Sequence, residues 1–95
     1  MPAYLIAHVE VTDPVGYEEY RRLAPAAIAA HGGRYLARGG ATTVLEGEFT
    51  PHRLVILEFP DMTRLKAFYE SPEYQPLVAM RNRNARSSLV AIEGV

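Results

Sequence analysis

The chain has 95 residues, 48% of them hydrophobic and 22% charged, which suits one globular domain and excludes a disordered chain. Eleven acids against ten bases leave a formal net charge of −1, so no overall field steers the molecule toward nucleic acid or anionic lipid. Cysteine is absent, which removes disulfides, thiolate metal sites and cysteine nucleophiles and fits a reducing compartment. The start lacks a signal-peptide pattern and no apolar run is long enough to span a bilayer, so a cytoplasmic location is expected. Nine of the ten bases are arginine; abundance without clustering reads as compositional bias.

Residues 3–12 alternate as a strand, with Leu5, Ala7, Val9 and Val11 on one face and Tyr4, Ile6, His8 and Glu10 on the other. Asp13-Pro14 then supplies an N-cap acceptor and a proline at the first helical position. Tyr17, Tyr20, Ala24, Ala27, Ile28 and His31 recur at helical spacing and form the inward stripe, while Glu18 and Arg22 are ordered for an i,i+4 pair. Pro25 is expected to kink this helix or divide it in two, and Gly32-Gly33 to end it in a left-handed cap. Residues 34–38 and 42–48 read as an extended stretch, broken by Gly39-Gly40 at a bulge, a bend or a close backbone approach.

Residues 53–59 give the clearest strand, bounded by a turn over 49–52 and by Pro60-Asp61. A short helix follows, carrying Met62, Leu65, Phe68 and Tyr69 on one side. Ser71-Pro72 opens a further helical segment reaching about residue 85, and residues 87–93 form a last strand. The order is β-α-β-β-α-β with the second helical region in two pieces. That order predicts a single α+β domain over 1–95 of ferredoxin-like plan, a four-stranded antiparallel sheet with helices on one face.

Such a sheet leaves its other face bare, yet the first and third strands are apolar on both faces: Ile6 and Tyr4 oppose Leu5, and Leu54 and Ile56 oppose Val55 and Leu57. An apolar patch of that size in water is unfavourable, and no spare segment is evident to cover it. A twofold pairing of two sheets, face to face, is therefore expected.

Further residues carry a family resemblance. The string Asp13-Pro14-x-x-Tyr17-x-x-Tyr20, then His31-Gly32-Gly33-Arg34-Tyr35-Leu36-x-Arg38-Gly39-Gly40 and Leu45-Glu46-Gly47, resembles the domain-of-unknown-function family numbered 1330. Arg53-x-Val55-x-x-x-Phe59-Pro60, Phe68-Tyr69-x-Ser71-Pro72-Glu73-Tyr74-Gln75-Pro76-Leu77 and Arg81 continue it over nearly the whole chain. The resemblance implies the dimeric α/β-barrel superfamily, whose members include monooxygenases, lactone isomerases, haem-degrading enzymes and plain ligand binders. It does not select a chemistry.

Arg81 shares an inward face with Tyr74, Leu77, Val78 and Ala85, and a guanidinium there requires a partner or an anionic ligand. Glu58, in phase with Leu54 and Ile56, is the candidate partner for an internal ion pair. The functional reading is an anion pocket under the helices with Arg81 or Arg38 as its clamp. Arg38-Gly39-Gly40 could offer a cation and free amides to a ligand or simply bend the strand, with Glu46 as the partner of Arg38. Tyr69 and Tyr74 are possible pocket donors as well as core rings. Ser71 reads as an N-cap rather than a nucleophile. His8, His31 and His52 lack ligand spacing, so neither metal nor cofactor is expected; His31 reads as a helix-end residue and His52 as turn surface. The arginines of 81–86 come without an aromatic RNA-binding signature.

The leading expectation is a homodimeric protein that binds a small organic anion and could be an enzyme, with His8, Arg38, Glu46, Glu58, Tyr69, Tyr74 and Arg81 around the pocket. One alternative is a non-catalytic structural or interaction domain in which these charges pair internally. Another is a cofactor-independent monooxygenase or isomerase, for which only His8, Glu58 and Glu46 are acid–base candidates.

Overall fold

A computed structural model describes residues 1–95. The elements run β1 (Ala3–Val11), α1 (Pro14–Ala30), β2 (Arg34–Arg38), β3 (Arg53–Phe59), α2 (Met62–Tyr69), α3 (Gln75–Asn84) and β4 (Ala85–Glu93). The four strands form one antiparallel sheet in the order β2-β3-β1-β4, the ferredoxin-like plan with its second helical region in two pieces. No helix is long and apolar enough to cross a membrane.

Strand phase decides which side chains meet the helices. In β1, Ala3, Leu5, Ala7 and Val9 are buried while their alternates are not, and β3 buries Leu57 and Phe59 in the same layer. The inward stripe of α1 is as read, with Tyr17, Ala24, Ala27 and Ile28 buried. On α3, Leu77 and Arg81 are buried with Tyr74 and Ala85 at its two ends. Asp13 caps α1 by accepting from the Val15 and Gly16 amides. Gly32, at φ +79°, closes it, with the Gly33 amide donating to Ile28. At the start of α1 the Asn84 carbonyl accepts from Thr12 and Asp13, and Gly16 leaves room for the Asn84 side chain, so α3 sits tightly on α1.

Several readings need correction. Residues 42–48 form no strand: β2 stops at Arg38, Gly39 turns left-handed at φ +69°, and residues 40–50 make an exposed arm with no strand to pair with. Pro25 does not divide α1, which runs unbroken from Pro14 to Ala30. Its missing N–H frees the Arg21 carbonyl, and Arg38 Nη2 donates to that oxygen at 3.0 Å, so the lost backbone bond is replaced from another element. Glu18 pairs with Arg21 and Glu19 with Arg22 at i,i+3, rather than Glu18 with Arg22.

The bare sheet face is as apolar as the alternation requires. The register aligns Ala37, Ile56, Ile6 and Val90 across all four strands, flanked by Leu54, Tyr4 and Ile92. Val90 is 61% exposed and Ile92 53%. The arm does reach one corner of this face, contrary to the reading that no segment could. Phe49 lies edge-on to His8 at 5.2 Å, and the His52 amide donates to His8 Nε2 at 3.0 Å.

Candidate functional site

Between the sheet and helices α1 and α3 lies a cavity of about 40 Å³. It is lined by apolar residues including Leu5, Ala24, Ile28 and Leu57, by Arg21, Arg38, Arg53 and Arg81, and by Tyr17, Tyr20, Tyr35 and Tyr74. No aspartate, glutamate or histidine lines it.

Of the four arginines, Arg21 pairs with Glu18 on the helix surface, and each of the other three stands against a tyrosine ring instead of a carboxylate. The Arg38 guanidinium carbon is 4.6 Å from the centre of the Tyr35 ring, Arg53 is 5.9 Å from Tyr17, and Arg81 is 5.9 Å from Tyr20. None of the five ion pairs in the molecule includes any of them. Arg81 is only 5% exposed. Its Nη1 donates to Tyr74 Oη at 2.7 Å, and Tyr74 Oη lies 2.7 Å from Tyr20 Oη. The Nε atoms of Arg81 and Arg53 are both buried and without any acceptor. These three arginines thus border a cavity that supplies no anion, while the two Nε–H groups are packed away from it.

Tyr17, Tyr35 and Tyr74 keep their protons at neutral pH. Burial, reinforced by Tyr20 alongside, holds Tyr74 far above the usual phenol range. Burial raises Tyr17 against the opposing pull of Arg53, and raises Tyr35 against that of Arg38.

Local backbone features aim these groups. Arg53 is in phase with Val55, Leu57 and Phe59, which turns it toward the helices. Its guanidinium rests on Gly39, where a Cβ would come within 2.2 Å of Arg53 Nη1. A bulge at Leu36 and Ala37 shifts the phase of β2, so that Tyr35 pairs with Leu57 and Arg38 with Val55 on one face. The Gly39 amide is not free for a ligand, because it donates to the Leu54 carbonyl at 2.8 Å.

Of the seven residues singled out in the sequence, the cavity brings together Arg38, Tyr74 and Arg81. Glu58 lies on the bare sheet face and binds Arg34 at 2.7 Å, so it is not the partner of Arg81. His8 is on that same face, bonded to His52. Glu46 lies on the exposed arm and makes no bond to Arg38, which is held instead by Arg21 and Tyr35. Tyr69 borders a separate open cleft between α2 and β4. Ser71 Oγ accepts from the Tyr74 amide and donates to the Phe68 carbonyl, closing the turn between α2 and α3; it is not the N-cap of α3, which begins at Gln75 after Tyr74. His31 stands at the end of α1, edge-on to Phe68 and 3.8 Å from Glu73. No three His, Asp or Glu side chains converge as metal ligands. Sequence reading missed Arg53, Tyr17, Tyr20 and Tyr35 as site residues, although the phase of β3 and the stripe of α1 already marked the first three.

Residues 2–95 match the family model described as a domain of unknown function, DUF1330. No curated protein matches the sequence. Among solved structures, a protein of unknown function from Rhodopseudomonas palustris aligns at TM-score 0.77 and 19% identity, over 99% of this chain and 82% of that one. A dimeric ferredoxin-like protein of unknown function from Jannaschia sp. CCS1 aligns at 0.72 and 17%, covering 99% and 100%. SnoaB, a cofactor-independent oxygenase from Streptomyces nogalater, aligns at 0.67 and 12%, covering 99% and 93%. At these identities the likeness establishes the fold alone. The resemblance carried by the Tyr-x-Ser-Pro-Glu-Tyr segment and its companions is borne out over nearly every residue: the chain belongs to the DUF1330 family.

Proposed function

We propose that the protein is a homodimer that binds a small organic anion in the arginine–tyrosine cavity of each subunit. The observation that carries this reading is that Arg38, Arg53 and Arg81 line a cavity with no acidic wall, Arg81 being buried without a carboxylate partner. Taking a guanidinium out of water costs several kcal/mol, and one phenol oxygen returns only part of it. An anion seated between the arginines supplies the rest.

The purely structural alternative requires an internal counter-ion. Glu58, its best candidate, is engaged by Arg34 on the other side of the sheet. Acid–base catalysis of the oxygenase or isomerase type is less well supported, since His8, Glu46 and Glu58 all lie outside the cavity.

Calorimetric titration with small carboxylates tests the binding reading. Measurable affinity that is lost in Arg81→Ala, with the fold intact by circular dichroism, is the expected result. Unaltered affinity in that variant, or no binding of any organic anion, overturns it.

The dimer is favoured by a specific surface: the row Ala37, Ile56, Ile6 and Val90 forms a continuous apolar band on the bare face. Ferredoxin-like relatives from Jannaschia and from Thermobifida fusca are described as dimeric. Light scattering after gel filtration should give twice the chain mass, and a monomer at micromolar concentration would overturn the pairing.

A further inference from the structure

We infer that, in the homodimer on whose reading above this rests, the arm of residues 40–50 crosses to the partner subunit and adds a strand to the open edge of its β4. Val44 then enters the cleft beside that edge, and Glu46 meets Lys66 of the partner subunit.

The two edges of the sheet differ. β2 is five residues long, bulged, and carries Arg34 and Arg38, all of which discourage pairing with another chain. β4 is nine residues long and pairs with β1 without a bulge, its other side unpaired as the last strand of the sheet. From Ser87 to Ile92 it carries neither a charge nor a proline. A long, flat, apolar edge of this kind is a template for a further strand. The helix layer also stops short of it. Ala91 is in phase with buried Ala85 yet exposed, and an open cleft of about 340 Å³ lies between α2 and β4. Leu5, Leu65 and Leu89 line this cleft together with Lys66 and Glu70.

The arm is a strand without a partner. Thr42, Thr43, Val44 and Leu45 favour extended backbone, yet all of residues 40–50 are exposed, Leu45 at 88%. Residues 40–51 form no backbone hydrogen bond outside regular structure, and they belong to no strand. Only the base is anchored: the Gly39 amide donates to the Leu54 carbonyl, and Phe49 and the His52 amide meet His8 on the bare face. Alternate residues of a strand share a side, so Val44 in the cleft brings Glu46 to the same side and turns Leu45 toward Val90 and Ile92. Glu46 and Lys66, the chain's one lysine, take part in none of the five ion pairs, so each is free for the other.

Reach and area agree. Stacked sheets lie about 10 Å apart, and a twofold axis along the strands sets β2 of one subunit over β4 of the other. Half of the arm, about five residues, extends up to roughly 17 Å, enough to cross. Four strands are about 19 Å wide and the seven residues of β3 about 23 Å long, so two such faces cover roughly 900 Å². A stable interface buries about 1,200–2,000 Å², and the exposed side chains of two arms supply the difference.

The test is sedimentation equilibrium over a dilution series, on the wild type, Leu45→Asp, Glu46→Lys, Lys66→Glu and the last two combined. All three side chains are exposed in the subunit, so its folding is not at stake. Leu45→Asp should weaken dimerisation about a hundredfold or more, because each dimer buries two copies of Leu45. Glu46→Lys and Lys66→Glu should each weaken it about tenfold, two contacts per dimer each worth roughly threefold, and the combined variant should recover to within about twofold of the wild type. Lys66 lies on the helix side of the sheet, so face-to-face pairing alone gives it no part in dimerisation. Unchanged dimerisation in every variant would overturn the role of the arm while the face-to-face dimer stands. Weakening by the single reversals without recovery in the combined variant would overturn the placement on β4. A monomeric wild type would overturn both this inference and the homodimer beneath it.

Discussion

Replacement of Arg81 by methionine keeps most of the side chain's bulk and removes its charge, so it separates a guanidinium held for a ligand from one held by an internal partner. In the folded chain Arg81 is 5% exposed, with one hydrogen bond to Tyr74 at 2.7 Å and its Nε unpartnered. Burying the ion costs several kcal/mol. The charge-assisted bond to Tyr74 returns about 1.5–3 kcal/mol. The Tyr20 ring, 5.9 Å away, is near the limit of effective range and adds about 0.5–1 kcal/mol. The returns do not exceed the cost, so Arg81→Met should stabilise the ligand-free protein, by at least about 1 kcal/mol, the lower end of what apolar replacement of buried ions gives. For a domain of this size the melting temperature should rise by about 4–8 °C. The same variant should lose the stabilisation that a small carboxylate such as acetate confers on the wild type, which at a hundredfold excess over Kd amounts to about 2.7 kcal/mol. Urea denaturation with and without acetate reads both quantities. A loss of about 3–5 kcal/mol in the ligand-free variant is the signature of a broken buried ion pair and would refute the reasoning.

Gly39→Ala should destabilise by about 1–3 kcal/mol, since φ is +69° and the new Cβ would meet the Arg53 guanidinium. It should also weaken anion binding by displacing Arg53; unchanged affinity in a folded variant would show that Arg53 takes no part. Ile6→Glu places a carboxylate in the centre of the apolar band and should yield a folded monomer by light scattering, whereas a persistent dimer would mean that another surface pairs. Stability should be full below pH 10 and fall above it. The folded values of Tyr17, Tyr35 and Tyr74 are raised, so the unfolded chain releases its phenolic protons first, at about pH 10. Each such tyrosine contributes a slope of up to about 1.4 kcal/mol per pH unit, and urea midpoints measured up to about pH 11 should show the slope reduced in Tyr74→Phe.

Much of the fold was legible because it depends on local period. The alternation in β1 and the stripes of α1 and α3 are one-dimensional signals, and they placed Leu5, Tyr17, Ala24, Tyr74 and Arg81 in the correct layer. The same alternation already assigned His8 and Glu58 to the face of Ile6 and Ile56, away from the helices, and it marked Arg53 as facing them. What remained hidden was non-local. The bulge at Leu36 and Ala37 has no glycine to mark it, yet it alone brings Arg38 to the side of Tyr35. Residues 42–48 carry strand-like composition, but a strand needs a partner, and none is in reach. Pro25 reads as a kink or a break because its replacement donor lies in β2, more than a dozen residues away.

These hidden features share one place. A helix proline, a strand bulge and a left-handed glycine are each unfavourable by local rules, and a fold seeking only stability would avoid having all three together. Here they act on one another. Pro25 exposes the Arg21 carbonyl, the bulge turns Arg38 to meet it, and Gly39, next in the chain, leaves the space in which Arg53 lies against the backbone. Their joint effect is to hold two arginines at the β2 side of the cavity, opposite the Arg81–Tyr74–Tyr20 chain that α1 and α3 supply. Positive charge is thereby brought to the cavity from both sides by features that burial of apolar surface does not require. That convergence sets the cavity apart from an incidental packing gap, and it is why an anion is the occupant to look for first.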